Sequence, residues 1–243
     1  MQKVTLEKSI DEVKLSVVIP IYNEIDTLEQ NMERLKAVPL NLEIICVDDG
    51  STDGSRDLIK KFKEDGTIQK ALFHRHNMGK GAALMHGFAA ATGDLVTVQD
   101  ADLEYDPNDY VNLIEPFIHG DAEVVYGSRY LKSNTYRVDG FYHTFGNRVL
   151  TAASNLFSDL SLTDMETCYK MFLREVIQGI NLCETRFGFE PEVTAKIAAQ
   201  KRRIYEIPIS YHPRTFEEGK KIGWKDAARA FYCIVRYNIF DRC

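Results

Sequence analysis

Short apolar, β-branched runs alternate with stretches of helical spacing through the first half of the chain. Leu15–Pro20 (LSVVIP) reads as a buried strand closed by proline. Ile25, Leu28, Met32 and Leu35 recur at spacings of three and four, which predicts a helix over 25–36. Leu42–Val47 (LEIICV) is the next buried strand. It stops at the turn cluster Asp48-Asp49-Gly50-Ser51, and Asp53 or Ser51 is placed to cap a helix over 54–64. A third strand is predicted over 68–73 and an Ala-rich helix over 79–92, closed by Gly93 as its C′ residue. A fourth strand covers Asp94–Val98, a helix starts near Pro107, and a fifth strand covers Val124–Tyr126. The second half is less regular. Helices are predicted over 143–158 and 189–199 and strands over 169–173 and 203–207. A basic loop from His212 to Lys221 then leads to a final amphipathic helix over 223–239. Strands alternating with helices at this spacing predict βαβ units, and hence an α/β fold with a mostly parallel central sheet flanked by helices. No repeat, low-complexity tract or linker interrupts the chain. One domain over 1–243 is expected, with residues 131–243 completing a site begun by residues 15–130.

Composition narrows the class of function. With 243 residues and 44% hydrophobic positions, the chain can bury a core without staples. Thirty Lys+Arg against 36 Asp+Glu give a net charge of -6, which argues against a nucleic-acid binder. The five cysteines (Cys46, Cys168, Cys183, Cys233, Cys243) form no CxxC pair, so neither a disulfide framework nor a closed zinc site is expected, and a reducing cytosol fits. The charged N-terminal stretch is no signal peptide, and no run approaches the length of a membrane span. The expected place is the cytoplasm, at or near the cytoplasmic face of a membrane.

The polar clusters fall at the carboxyl ends of the predicted strands, where ligands bind in open parallel sheets. Asp100-Ala101-Asp102 is the sharpest. Two carboxylates at i and i+2 past a buried strand can face one crevice and hold a hard divalent cation with a substrate's phosphates; the competing reading is an acidic turn capping the next helix. Asp48-Asp49-Gly50-Ser51 offers carboxylates to a nucleobase or ribose, or is an ordinary βα turn. Asn77-Met78-Gly79-Lys80-Gly81-Ala82 opens a helix whose free N–H groups, with Lys80, would suit a phosphate; alternatively its glycines permit close packing. His74 and His76 share a spacing of two and read best as a packed or solvated pair. Arg129, with Arg214, Lys220 and Lys221, suggests an anionic substrate or a solvated basic surface. No Walker A loop, GxSxG elbow, HExxH or GxGxxG is present.

Taken in order, these motifs resemble the family-2 glycosyltransferases, in particular the polyprenyl-phosphate (dolichol-phosphate mannose or glucose synthase-like) branch. The matching segments are Val18-Ile19-Pro20-Ile21-Tyr22-Asn23-Glu24, Val47 to Gly54, Asn77 to Ala82, Asp100 to Glu104 and Gly127-Ser128-Arg129-Tyr130, followed by Asp164 to Lys170 and Arg214 to Lys221. The resemblance implies a nucleotide-sugar-binding A-type glycosyltransferase fold and an inverting transfer. It implies a nucleoside pocket lined by Pro20, Tyr22, Glu24, Val47 and Asp49, with Lys80, Asp100 and Ala101 also at the nucleotide. Asp100, Asp102 and Glu104 would hold Mg²⁺ or Mn²⁺; related enzymes often carry Gln where this chain has Glu104. Arg129, Arg214, Lys220 and Lys221 would face the acceptor phosphate, and Asp102, Arg129, Asp164 and Arg214 are the catalytic candidates. A lipid phosphate acceptor needs no general base, whereas a sugar hydroxyl needs one, with Asp164 or Glu166 as candidates. The resemblance implies a UDP-sugar or GDP-mannose donor, and Phe187-Gly188-Phe189-Glu190-Pro191-Glu192 resembles the glucose-type members more, which favours a UDP-sugar. The alternatives are a soluble or protein-linked hydroxyl acceptor, and a non-catalytic nucleotide-binding protein. The C-terminal helix, with Phe231, Ile234, Val235 and Ile239 among Lys225, Arg229 and Arg236, either lies on anionic lipid or packs on the domain.

Overall fold

A computed structural model of the chain describes residues 6–131, 140–213 and 224–241. Seven strands form one sheet: β1 Lys14–Ile21, β2 Asn41–Asp48, β3 Lys70–Phe73, β4 Leu95–Val98, β5 Val124–Ser128, β6 Lys170–Leu173 and β7 Ile204–Pro208. Their order is β3-β2-β1-β4-β6-β5-β7. The helices are α1 Ile25–Ala37, α2 Ser55–Glu64, α3 Lys80–Ala90, α4 Tyr110–Ile118, α5 Phe141–Ser158, α6 Arg174–Gln178, α7 Phe189–Ala199 and α8 Trp224–Val235.

β1 is the spine of the first half, paired in parallel with β2 (Val18 opposite Ile45) on one side and with β4 (Val18 opposite Val98) on the other. Helices cover both faces, so Leu15, Val17, Val18, Ile19 and Ile21 are all fully buried. A run of apolar residues without alternation is what such a strand requires. α3 lies directly on β1 because Gly87 faces Val18: a Cβ there would stand 2.2 Å from Val18 Cγ1. The helix accepts the propensity cost of a central glycine, about 1 kcal/mol, in exchange for this approach.

Four of the predicted features change. β6 runs antiparallel to both β4 and β5, a reversal that apolar patterning does not encode. α3 ends at Ala90 and Ala91 is already extended, so Gly93 is not its C′ residue. Gly93 instead passes so close to β1 that a Cβ would lie 2.6 Å from the Lys14 carbonyl oxygen. The helix over 54–64 begins after Gly54, at φ 103°, while Asp53 accepts from the Ser55 amide and from the Ile25 amide at 3.0 Å each. The final helix stops at Val235 and continues as a π-turn over Arg236–Phe240.

At the end of the sheet opposite the polar clusters, the buried Glu43 ties β2 to its neighbours. It accepts from Ser16 Oγ at 2.6 Å, from the Thr92 amide at 2.8 Å and from Lys14 Nζ at 3.1 Å. Burial pushes its pKa up, but the Ser16, Thr92 and Lys14 hydrogen bonds outweigh this and hold it far below the ordinary carboxylate range. A depressed folded-state pKa contributes stability at pH above the unfolded value of about 4.3, and that stability is lost as pH falls below it. Glu43→Gln is therefore expected to cost about 2 kcal/mol in urea unfolding at pH 7. It should also flatten the loss of stability that the parent protein shows between about pH 5 and pH 3.

Candidate active site

β1, β2, β4 and β5 end at one edge of the sheet, and antiparallel β6 begins there. The segment before β6, Asp164 to Tyr169, is thereby delivered beside the ends of the parallel strands. After Val98 the chain turns over this edge. Buried Gln99 accepts from the hydroxyls of Tyr110 and Tyr169, the latter at 2.6 Å, and donates to the Asp100 carbonyl at 3.1 Å. From α1, Asn31 donates to the same carbonyl at 2.9 Å and Arg34 to that of Leu103 at 3.2 Å. Leu103 is held at φ 65°, a left-handed conformation that leucine seldom adopts and that tends to mark functional turns. The turn is fixed from two sides before any ligand arrives.

Both Asp100 oxygens lie on the Lys80 ammonium, at 2.9 and 3.0 Å. Glu190 Oε1, at the start of α7, is 3.5 Å from the same nitrogen. Burial opposes the charge on Lys80, but the neighbouring Asp100, Cys168 and Glu190 outweigh it and hold its pKa well above the usual lysine value. Asp102 accepts from the Glu104 amide at 3.2 Å, and Glu104 Oε2 accepts from the Tyr211 hydroxyl at 2.9 Å. Among the described residues no three His, Cys, Asp or Glu side chains are grouped to hold an ion by themselves. Asp100 and Asp102 are hard oxygen donors, and the Lys80 ammonium already stands in for a cation on Asp100. The pair fits a divalent ion whose other ligands come from a substrate's phosphates.

The Asp49 carboxylate is deeply engaged. It accepts from the amides of Met78 and Gly79 at 2.8 Å each and meets His74 Nδ1 at 2.7 Å. His74 is buried, and its Nε2 is 2.7 Å from Nδ1 of His86. His76 is exposed, so the two histidines do not share a side; the partner is His86, one helix away. The 77–82 turn is likewise organised by the protein. The Ala82 amide donates to the Thr185 carbonyl at 3.1 Å. A Cβ on Gly81 would stand 2.0 Å from the Glu184 carbonyl oxygen, and one on Gly79 2.3 Å from that of Thr185. The amides of Met78, Gly79 and Ala82 are thus not free for a phosphate, and close packing accounts for the glycines. Pro20 and Val47 lie opposite one another in β1 and β2. Tyr22 is 42% exposed beyond them, and the Glu24 amide donates to Ser55 Oγ at 3.1 Å. Ala101 is buried.

Arg129, just past β5, grips fully buried Asp164 with Nε and Nη2 at 2.7 Å each, and its own amide donates to the same carboxylate at 3.0 Å. Its guanidinium lies 5.1 Å from the Tyr211 ring centre, so Tyr211 joins Arg129 to Glu104. Burial and the nearby Glu190 carboxylate push the Glu166 pKa upward, toward the protonated form. Its Oε1 is buried without a hydrogen-bond partner. Arg214, Lys220 and Lys221 lie outside the described residues; the chain leads to them from His212, whose amide donates to the Glu104 carbonyl at 2.8 Å. Sequence reading missed Glu190, Cys168, Tyr211 and His86. Glu190, Cys168 and Tyr211 are distant in the chain, and only the apposition of the two halves reveals them, whereas His86 is brought to His74 by α3 within the first half.

A mostly parallel sheet with paired carboxylates past its central strand places the protein among the α/β folds of A-type glycosyltransferases. It superimposes on glucosyl-3-phosphoglycerate synthase from Mycobacterium tuberculosis in complex with Mn²⁺, UDP and phosphoglyceric acid. The TM-score is 0.70 at 18% identity, covering 94% of this chain and 79% of that one. It also superimposes on a mannosyltransferase from Pyrobaculum calidifontis in complex with GDP-Man and Mn²⁺, with a TM-score of 0.59 at 16% identity, covering 93% and 70%. Residues 16–180 match the model of glycosyl transferase family 2, and the chain belongs to that family. It is 30% identical over 215 residues to an undecaprenyl-phosphate 4-deoxy-4-formamido-L-arabinose transferase of Aeromonas hydrophila, covering 86% of this chain and 63% of the relative. Against the protein of the same name in Sodalis glossinidius it is 32% identical, covering 85% and 62%. The chain spans little more than three fifths of the length of these relatives.

The buried Arg129–Asp164 pair has a clear energetic signature. Removing one member strands a buried charge, so Arg129→Met or Asp164→Leu alone is expected to cost about 3–5 kcal/mol in denaturant unfolding. The double variant should recover at least half of that loss, which a double-mutant cycle would measure.

Proposed function

We propose that this chain is a metal-dependent, inverting glycosyltransferase domain that moves a sugar from a nucleotide-sugar donor to a polyprenyl phosphate. The observation that carries this reading is the cluster past β4, where Asp100 is held by Lys80 and Glu104 is joined through Tyr211 to the Arg129–Asp164 pair. The polyprenyl-phosphate acceptor draws support from the names of the curated relatives. Residues 15–130 form the nucleotide side, with Pro20, Tyr22, Glu24, Val47, Asp49, Lys80 and Ala101 about the nucleotide. The segment from 131 onward completes the acceptor side with Arg214, Lys220 and Lys221. Asp100 and Asp102, with Glu104 beside them, would hold Mg²⁺ or Mn²⁺, which when bound offsets charge developing on the departing nucleoside diphosphate.

The state of the two acids favours a phosphate acceptor over a hydroxyl. Asp164 has both oxygens committed to Arg129, so its role in this reading is to aim the guanidinium. Burial pushes the Glu166 pKa up, against the opposing pull of Lys170 and Arg129. A phosphate oxygen is already ionised and needs neither, only cations that orient it.

One face of α5 supports a membrane-surface location. Phe141, Tyr142, Phe145 and Val149 are all exposed there. The opposite, buried face of α5 is tied to the acceptor side, where Asn147 donates to the Tyr130 hydroxyl at 3.0 Å, next to Arg129. No helix among the described residues is long and apolar enough to cross a membrane, and in this reading the contact is peripheral. The cysteines Cys46, Cys168, Cys183 and Cys233 are free, in keeping with the cytoplasmic side.

Incubation with Mn²⁺, labelled UDP- and GDP-sugars and undecaprenyl phosphate should yield a lipid-linked product with one donor, and Asp102→Asn should lower the rate about 10²-fold or more. Absence of lipid-linked product with every donor would reject the proposal. In vesicle flotation with anionic lipid, Phe141→Ser with Phe145→Ser should weaken binding about tenfold. Unchanged partitioning would remove the membrane role of α5.

A further inference from the structure

The contacts of Lys80 carry more than nucleotide binding. Its ammonium sits on both oxygens of Asp100, at 2.9 and 3.0 Å, in the place a divalent cation would take. A cation on those oxygens would compete with the ammonium for their lone pairs and repel it at close range. Displacing Lys80 relieves that repulsion, but all three side chains are largely shielded, so an ammonium with no anionic partner would be costly. Glu190 Oε1 lies 3.5 Å from the same nitrogen and offers the second seat. Its main chain is fixed in the first turn of α7, where the Glu190 carbonyl accepts from Thr194 Oγ1 at 2.7 Å.

We infer that Glu190 is a positioning residue that receives the Lys80 ammonium when a divalent cation engages Asp100. The metal-free site is then not an open acidic pocket but a closed ion pair that opens by a short transfer of one side chain. The net charge of the crevice stays nearly constant as the cation and the diphosphate enter together. The inference rests on the metal–nucleotide reading of Asp100 and Asp102 and deepens it.

The test measures Mn²⁺ binding rather than turnover, by the electron paramagnetic resonance signal of free Mn²⁺, with and without UDP. Lys80→Gln removes the competing ammonium, so Mn²⁺ alone should bind roughly tenfold more tightly than to the parent protein. Glu190→Gln removes the second seat and should weaken Mn²⁺ binding in the presence of UDP by roughly tenfold. The double variant separates this from a plain loss of negative charge. If Glu190 acts through Lys80, Lys80→Gln with Glu190→Gln binds Mn²⁺ as Lys80→Gln does. If the double variant is weaker by the full factor seen for Glu190→Gln alone, the inference is overturned. Should Glu190→Gln not fold, as judged by circular dichroism, Lys80→Gln decides the matter, and unchanged or weaker Mn²⁺ binding overturns it. A parent protein that binds no Mn²⁺ even with UDP would overturn the metal–nucleotide reading itself. A parent that binds while the variants match it would overturn only the role of Glu190.

Discussion

Carboxylates crowded at one edge of a sheet repel one another, and the organisation of this protein follows from how that repulsion is managed. Asp48 meets Arg56, Asp49 is satisfied by two amides and His74, Asp100 holds Lys80, and Asp164 holds Arg129. Each acid has its own partner, drawn from a different element. The acidic edge is therefore a set of locally partnered groups rather than a row of bare carboxylates. Glu166 is the exception: burial and the nearby Glu190 raise its pKa in spite of Lys170 and Arg129.

The reversed strand β6 is what makes this matching possible. A seventh parallel strand would have sent the residues before it to the far end of the sheet. Because β6 runs against β4 and β5, Asp164, Glu166 and Cys168 arrive at the same edge as Asp100 and Arg129. Fully buried Lys170, the first residue of β6, secures the approach by donating to the carbonyls of Met165 and Thr167. The two halves of the chain thus contribute to one set of ion pairs, which neither would complete alone.

Much of this was legible in the sequence, and what was not has a common cause. Strands such as Leu15–Pro20 and Leu42–Val47 announce themselves because burial on both faces demands uninterrupted apolar residues, and their polar ends marked the site edge. Asp100, Asp102 and Arg129 stood out because each directly follows such a strand. Strand direction leaves no comparable trace, so the reversal of β6 was invisible. The partners of the acids were invisible too. Lys80 was read as a phosphate ligand and Glu190 only as part of a family-like segment, since nothing along the chain says that Lys80 meets Asp100, 20 positions on, or that Glu190 comes to lie beside Lys80. Gly93 misled for a related reason. A glycine after a helix suggests a cap, whereas here the close passage past Lys14 requires it.

The glycines of the 77–82 turn show how far the dependence between halves extends. Gly79 and Gly81 flank Lys80 and are pressed by the carbonyls of Thr185 and Glu184. The Glu184 carboxylate in turn accepts from Arg229 of α8 at 2.7 and 2.9 Å and from the Tyr237 hydroxyl at 2.9 Å. Its amide donates to Glu192 of α7 at 2.7 Å. A continuous line of contacts therefore runs from α8, through the 184–185 segment, to the residues on either side of Lys80. Interiors packed at this density transmit displacement rather than absorb it. Any side chain larger than hydrogen at Gly79 or Gly81 would push that segment away from α3, and with it the seat of Arg229. The lysine on Asp100 is placed as much by the C-terminal helix as by the strand it faces.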